Sequence, residues 1–270
     1  MSIWVLRGLR DGIVTTRWPG RPDEYADYWQ GPATTLPIAR ALEAGTPELA
    51  DVEALCPTGA IDVNGWSPAG ELSVDQGRCI LCGRCVAARP DLFAWSEGAT
   101  GAAAAALVRQ ALVVPQSHET EEEVAAARAA LAARTAALRR SVHVRHVDAG
   151  SDGSEEWEIQ ALLGPVYDIQ RLGVFFTASP RHADVLLVTG AGTVGMTGPL
   201  RVTYEGMPDP KVVIAVGTDA VSGGLLGDRL TGAASVIPVD VWVPGSPPSP
   251  FAILNALLIA TGKLATGARR

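Results

Sequence analysis

The sequence predicts an α/β protein: a doubly wound, mostly parallel sheet in the C-terminal half, preceded by a small α+β unit. Two observations lead to this prediction. After position 142, short runs of branched aliphatic residues alternate with helical segments, and such runs are typical of parallel strands buried on both faces. All four cysteines instead lie between positions 56 and 85. A chain of 270 residues is long enough for two such domains.

The composition restricts the class of partner. Hydrophobic residues make up 47% of the chain, enough for a buried core, and a net charge of −7 argues against a nucleic-acid partner. No uninterrupted apolar run approaches the roughly 18 residues that span a bilayer. Arg7, Arg10 and Asp11 interrupt the apolar N-terminus, unlike a signal peptide. We therefore expect no transmembrane segment and a reducing, cytoplasmic compartment.

The first element expected is a short helix within the N-terminal segment, residues 1–40. Residues 1–18 mix apolar and basic positions, whereas residues 19–40 are rich in Pro, Gly, Asp and Tyr and predict extended chain and turns. A basic amphipathic helix can lie on a membrane or dock on a partner, and packing on its own domain is about equally expected. The residues of its candidate face and flank are Trp4, Val5, Leu9, Ile13, Arg7 and Arg10.

The next unit, residues 41–95, contains the cysteine pattern. Cys79, Cys82 and Cys85 are spaced C-x-x-C-x-x-C, and Cys56 precedes a proline. The bacterial ferredoxin run is C-x₂-C-x₂-C-x₃-C-P, whose fourth cysteine binds the other cluster in two-cluster proteins. The spacing therefore predicts a ferredoxin-like α+β domain whose four thiolates form the complete ligand set of one [4Fe–4S] cluster. Short strands are expected at 60–63 and 72–74.

The ligand positions of a second ferredoxin cluster are filled by residues that do not bind iron. These positions are Thr46, Leu49, Val52 and Arg89. One tetrad is lost entirely while the interleaved tetrad is complete, which random substitution would rarely produce. A structural zinc and two disulfides are the alternatives. Zinc sites usually have paired C-x-x-C knuckles, so the third cysteine of the run favours a cluster.

Residues 96–141 are predicted to connect the two domains. An alanine-rich stretch precedes a long helix from about Ser117 to Arg140, with Thr120 as its N-cap and Glu123 closing a capping box. Acidic residues at its beginning and arginines near its end match the helix dipole. We assign no chemistry to this helix.

The C-terminal domain, residues 142–270, is predicted to alternate strands and helices. Ligands of such sheets bind at the carboxyl ends of the strands. The expected strands are 142–147, 173–177, 183–189, 211–217 and 236–243, and the expected helices are 156–171, 196–206 and 251–262.

Four sequence blocks of this domain carry a family resemblance. They are VDAGS at 147–151, GPVYDIQRLG at 164–173, ASPRHADVLLVTG at 178–190, and VDV with PGSPP at 239–241 and 244–248. Over roughly residues 142–264 the chain resembles the small, cluster-carrying subunit of respiratory complex I and of group 4 membrane-bound nickel–iron hydrogenases. The first 95 residues are similar to a shortened two-cluster ferredoxin subunit of the same complexes. The resemblance implies a flavodoxin-like C-terminal domain fused to a ferredoxin-like one.

The resemblance also identifies a lost cluster in the C-terminal domain. The family holds a [4Fe–4S] cluster by a C-x-x-C pair, a cysteine after a central strand, and the cysteine of Pro-Gly-Cys-Pro-Pro. Serine oxygen is a harder ligand than thiolate and seldom replaces it. We expect this domain to keep the fold without the cluster; the alternative is a different metal bound by Asp219 with histidines. The four degenerate positions are Ser151, Ser154, Asp219 and Ser246.

The resemblance implies an iron–sulfur electron-transfer subunit, peripheral on the cytoplasmic face of the membrane and without catalytic residues of its own. Its expected partners are a hydrogenase-like or quinone-reductase-like large subunit and antiporter-like membrane subunits. Two alternatives remain open. One is a structural or redox-sensing subunit. The other is a nucleotide-binding oxidoreductase that uses Gly190–Gly195, a G-x-G-x-x-G loop after a strand, with Asp219 after the next strand.

Overall fold

The computed structural model describes residues 3–21, 29–37, 49, 51–63, 71–97, 105–116, 118–136, 138, 141–227 and 229–264. Within these ranges the chain forms three sheets, of two, three and five strands. None of the helices in the described part of the chain is long and apolar enough to cross a bilayer. The predicted position Thr46 lies outside the described residues.

Five short strands and one helix form the N-terminal unit. β1 pairs antiparallel with β4, and β3 pairs antiparallel with both β2 and β5. β1 lies before the predicted 41–95 domain and β5 lies after it. The N-terminal unit therefore includes chain from both the preceding and the following segment. The elements are α1 (Ile3–Asp11), which precedes the unit, then β1 (Gln30–Thr35), β2 (Ile61–Asp62), β3 (Ser73–Asp75), α2 (Arg84–Ala88), β4 (Phe93–Glu97) and β5 (Val113–Val114).

The connecting helix α3 (His118–Thr135) is shorter than predicted. It begins at His118, so Thr120 lies inside its first turn and the prediction of Thr120 as N-cap is wrong. Glu119 and Glu121 occupy the first turn, as the helix dipole favours. The helix ends at Thr135, whose hydroxyl donates to the Leu131 carbonyl of the preceding turn at 2.8 Å.

The C-terminal domain is a five-stranded parallel sheet in the order β10-β9-β8-β6-β7. This order is the flavodoxin-like doubly wound topology that the sequence predicts. The predicted helix at 156–171 is interrupted before Pro165, because the residue before a proline is disfavoured in the helical conformation. The elements are β6 (Val142–Asp148), α4 (Ser154–Ala161), β7 (Val174–Phe176), β8 (Val185–Thr189), α5 (Val194–Glu205), β9 (Val212–Val216), α6 (Thr218–Ser222), β10 (Val241–Val243) and α7 (Pro250–Ala260).

Both faces of this sheet are covered by helices, which explains its continuous apolar strands. Alternate residues such as Leu187 and Leu186 point to opposite faces, and α7 packs on the first face while α5 packs on the second. Every residue of α7 is buried. The N-terminal segment returns to this core through Trp18, whose ring meets Phe251 edge-on with centroids 6.0 Å apart.

Candidate metal centre

All four cysteines line one cavity of the N-terminal unit, and their thiols are free. The sequence-predicted ligand set is therefore brought together in space, and the two-disulfide alternative has no counterpart in the structure. The rest of the wall is largely apolar, as water exclusion around a metal centre requires. The wall consists of Ala33, Leu55, Ala60, Ile61, Val74, Ile80, Gly83 and Trp95, besides Cys56, Cys79, Cys82 and Cys85.

Short helical turns set the positions of the cysteines. Cys56 and Cys79 each terminate a 3₁₀ turn, and Cys85 lies in α2. The turn before Cys79 is capped by the Asp75 carboxylate, which accepts a hydrogen bond from Gly77 N at 2.9 Å. Gly83 begins α2 with φ +72°, and a Cβ there would meet the Trp95 ring at 3.1 Å. A glycine at this position lets the chain turn closely over the cavity wall.

Backbone N–H groups point at two of the sulfurs. Ala60 N donates to Cys56 Sγ at 3.2 Å, and Ala33 N donates to Cys79 Sγ at 3.5 Å. Such hydrogen bonds favour the thiolate form that binds metal and influence the reduction potential of a bound cluster.

Burial opposes ionisation of two of the free thiols. It raises the pKa of Cys79, and it raises the pKa of Cys85 to about 11, with repulsion from the neighbouring thiolates adding to both shifts. Metal ligands must be deprotonated, so a metal centre here would displace protons from these thiols and make them buried thiolates that need a cationic partner.

The arrangement of the thiols fits a cluster better than a single ion. Among the described residues, no three His, Cys, Asp or Glu side chains are grouped so that they could hold one metal ion. A zinc ion needs all its thiolates about 2.3 Å from one point. A [4Fe–4S] cluster instead takes one cysteine at each of four irons, so its ligands surround a volume. The same observation offers no support for a metal at Asp219 with histidines.

The described positions predicted to have belonged to a second ferredoxin cluster make core and surface contacts. Leu49 and Val52 are buried in the apolar core of the N-terminal unit. Arg89 lies at the end of α2 and forms an ion pair with Asp91 at 2.7 Å. The residues at the three described positions therefore make core or surface contacts.

At the positions predicted to be degenerate in the C-terminal domain, two of the serines bond to carboxylates. Ser151 Oγ donates to Glu156 Oε2 at 2.8 Å, and Ser154 Oγ donates to Asp152 Oδ1 at 2.7 Å. Asp219 lies in the first turn of α6, after β9. Burial is the main cause that raises its pKa, and repulsion from Asp152 and Glu156 raises it further. Ser246 lies half-buried in the PGSPP turn after β10.

Three acidic residues beside these positions, Asp152, Glu155 and Glu156, are not among the residues that the sequence singles out. Glu155 is completely buried, and burial raises its pKa to about 7, with repulsion from Asp219 and Asp152 adding to the shift. Its Oε1 atom has no hydrogen-bond partner among the described residues.

The Gly190 loop packs against the loop after β6. A Cβ on Gly190, whose φ is +79°, would lie 2.6 Å from the backbone of Gly150 and Ser151. A Cβ on Gly192 would meet the Gly232 carbonyl at 3.0 Å. These two glycines are therefore accounted for by close backbone packing, without a phosphate.

A buried hydrogen bond attaches the cysteine loop to the C-terminal domain. Thr218 Oγ1, in the first turn of α6, donates to the Cys79 carbonyl at 2.9 Å. Arg109, in the segment that connects the two domains, binds Asp75 with two partly buried hydrogen bonds of 2.8 and 2.7 Å. A Cβ on Gly77 would lie 2.8 Å from both Arg109 and Val221, so the two domains meet closely here. The cavity therefore lies beside the helix that carries Asp219.

Comparison with known proteins supplies the family. Residues 153–260 match the family described as NADH ubiquinone oxidoreductase, 20 Kd subunit. The chain is 38% identical to formate hydrogenlyase subunit 7 of Escherichia coli over 58% of this chain and 61% of that protein. It is 46% identical to the probable membrane-bound hydrogenase subunit mbhJ of Pyrococcus furiosus over 47% of this chain and 78% of that protein.

A third relative comes from the quinone-reducing branch. The chain is 40% identical to NAD(P)H-quinone oxidoreductase subunit K 2 of a Cyanothece species, over 40% of this chain and 43% of that protein. The chain thus spans less than two thirds of the formate hydrogenlyase and quinone oxidoreductase relatives and more than three quarters of the hydrogenase relative.

Proposed function

Because the chain belongs to the family of the NADH ubiquinone oxidoreductase 20 Kd subunit, we propose that it is an electron-transfer subunit with one [4Fe–4S] cluster. The four cysteines of the N-terminal unit would bind this cluster, which supplies reversible one-electron transfer. The chain would have no catalytic residues of its own and would act within a membrane-associated oxidoreductase.

The observation that carries this proposal is the convergence of four free thiols on one largely apolar cavity. The chain's residues would perform three tasks there. The apolar wall would exclude water from the cluster, and the N–H groups of Ala33 and Ala60 would stabilise two of the thiolates. Thr218 would hold the Cys79 loop against the C-terminal domain.

The partners belong to the same proposal. Relatives are named as subunits of formate hydrogenlyase, of a membrane-bound hydrogenase and of NAD(P)H-quinone oxidoreductase. We expect a hydrogenase-like or quinone-reductase-like large subunit and antiporter-like membrane subunits, with this chain peripheral on the cytoplasmic face. The second ferredoxin cluster and the small-subunit cluster would both be absent, so the large subunit would have to receive electrons from the remaining cluster.

Iron analysis of anaerobically purified protein tests the cluster. We expect about four irons per chain and one low-temperature EPR signal that appears on reduction with dithionite. Cys82→Ala should lose the signal, and Ser246→Ala, a matched change at a degenerate position, should keep it. Zinc in place of iron, or about eight irons per chain, would contradict the proposal. About four irons that resist reduction would instead support the structural alternative.

A further inference from the structure

The helix α1 presents an apolar surface to solvent. None of its residues is buried, and Trp4 and Leu9 are 80% and 73% exposed. The exposed apolar surface continues into the residues that follow the helix. Its members are Ile3, Trp4, Val5, Leu6, Leu9, Ile13 and Val14. Single exposed apolar residues are ordinary, but a continuous set of this kind marks an interaction surface.

The chain immediately after α1 is anchored to the C-terminal domain. Thr16 N donates to the Val166 carbonyl at 2.7 Å, and Thr15 Oγ1 donates to the Pro165 carbonyl at 2.7 Å. Trp18 is buried against α7. The helix is therefore held at one end by a fixed attachment while its own surface remains uncovered.

The charge of this segment is opposite to that of the whole chain. Residues 3–21 contain four arginines and a single acidic residue, Asp11, whereas the whole chain has a net charge of −7. At 100° per residue, Val5 and Leu9 lie on one side of the helix and Arg7 and Arg10 lie on the other. Ile3 lies between the two arginines, and Trp4 and Leu6 lie on the flanks. The segment thus combines an apolar side with a cationic side.

We propose that α1 is an interfacial anchor that binds the surface of an anionic phospholipid bilayer. Nine residues make a helix of about 14 Å, too short to span a bilayer, so the helix would lie in the plane of the interface. Its apolar side would enter the acyl boundary, and the arginines would reach the headgroup phosphates. Charge complementarity selects an anionic lipid surface as the occupant, because an apolar protein groove would not require the arginines.

This inference deepens the membrane association in the proposed function, on which it rests, but it does not depend on the cluster. Full-length holoprotein is mixed with phosphatidylcholine vesicles that contain or lack phosphatidylserine, and the bound fraction is measured by sedimentation. We expect binding to the anionic vesicles. W4D/L9D and R7E/R10E should each weaken that binding at least roughly tenfold.

The control variant W157D/L225D changes a tryptophan and a leucine with comparable exposure, 73% and 67%, outside α1. It should bind the anionic vesicles as the wild type does. No binding to either vesicle, an equal loss in the control variant, or self-association that W4D/L9D abolishes would overturn the proposal. Iron content and the EPR signal are measured on every variant. A variant that loses vesicle binding but retains its iron tests only the anchor. Missing iron tests only the proposed cluster.

Discussion

Glu155 is a buried acid next to Ser154, one of the positions predicted to have lost a cluster ligand. Its folded-state pKa is about 7, above the value of about 4.3 for an unfolded chain, because burial disfavours the carboxylate. The folded protein therefore binds the proton more tightly than the unfolded chain between these two pKa values. The ionisation of Glu155 therefore does not change the free energy of unfolding below about pH 4. It lowers that free energy progressively between about pH 4 and pH 7, and its effect is complete above about pH 7.

Glu155→Gln should remove this pH dependence. The neutral amide keeps the shape of the side chain without a buried charge, so the variant should gain on the order of 1–3 kcal/mol at pH 8 and nothing at pH 4. Thermal unfolding from pH 4 to pH 8 measures the difference. Glu205→Gln, at an exposed position in α5, serves as the control and should follow the wild type. If Glu155→Gln also follows the wild type, Glu155 ionises normally.

Gly83 combines a positive φ with a close neighbour at the cavity. Alanine there would cost about 1–2 kcal/mol for the left-handed backbone and would also press on Trp95. We expect Gly83→Ala to lower the iron content per chain. Gly153→Ala is the matched control, because Gly153 has φ +91° and an added Cβ there would meet nothing within 4 Å. It should lose stability and keep its iron; equal iron in both variants would show that the Trp95 contact is unimportant.

At the scale of elements, α6 connects the cysteine loop to the parallel sheet. Thr218→Val keeps the side-chain shape but leaves the Cys79 carbonyl without its hydroxyl donor and Gly245 N without that hydroxyl as an acceptor at 3.3 Å. Together these losses should cost about 1–3 kcal/mol. Denaturant unfolding of the holoprotein measures this loss. Thr203→Val in α5 removes a hydroxyl that bonds only within its own helix, to Pro199 O, and should cost less. Equal losses would mean that the contact between the domains adds nothing.

The elements that the sequence predicts well are those specified by local pattern. The branched aliphatic runs become the five parallel strands, and the four cysteines that the spacing singles out line one cavity. Contacts between distant segments leave no such pattern. Thr218 meets a carbonyl 139 positions earlier in the chain, and Glu155 is polar yet fully buried. Residue type alone would place both on the surface.

At the scale of the molecule, the two domains differ in the size of the apolar cores that stabilise them. The C-terminal domain buries apolar side chains on both faces of its sheet, whereas the N-terminal unit has one small core around Leu72 and Phe93. If the proposed cluster is bound, it would supply part of the folding free energy of so small a domain. Removing the metal should therefore affect the two domains differently.

Anaerobic removal of iron with a chelator should expose the N-terminal unit selectively. Hydrogen exchange of holo and iron-free protein should show faster exchange in β2, β3 and α2 and unchanged exchange in β6, β8 and β9. The helix α6 should be the exception within the C-terminal domain, because Thr218 loses its partner when the Cys79 loop opens. Uniform loss of protection would show one cooperative unit, and no change anywhere would show that the metal contributes nothing to the fold.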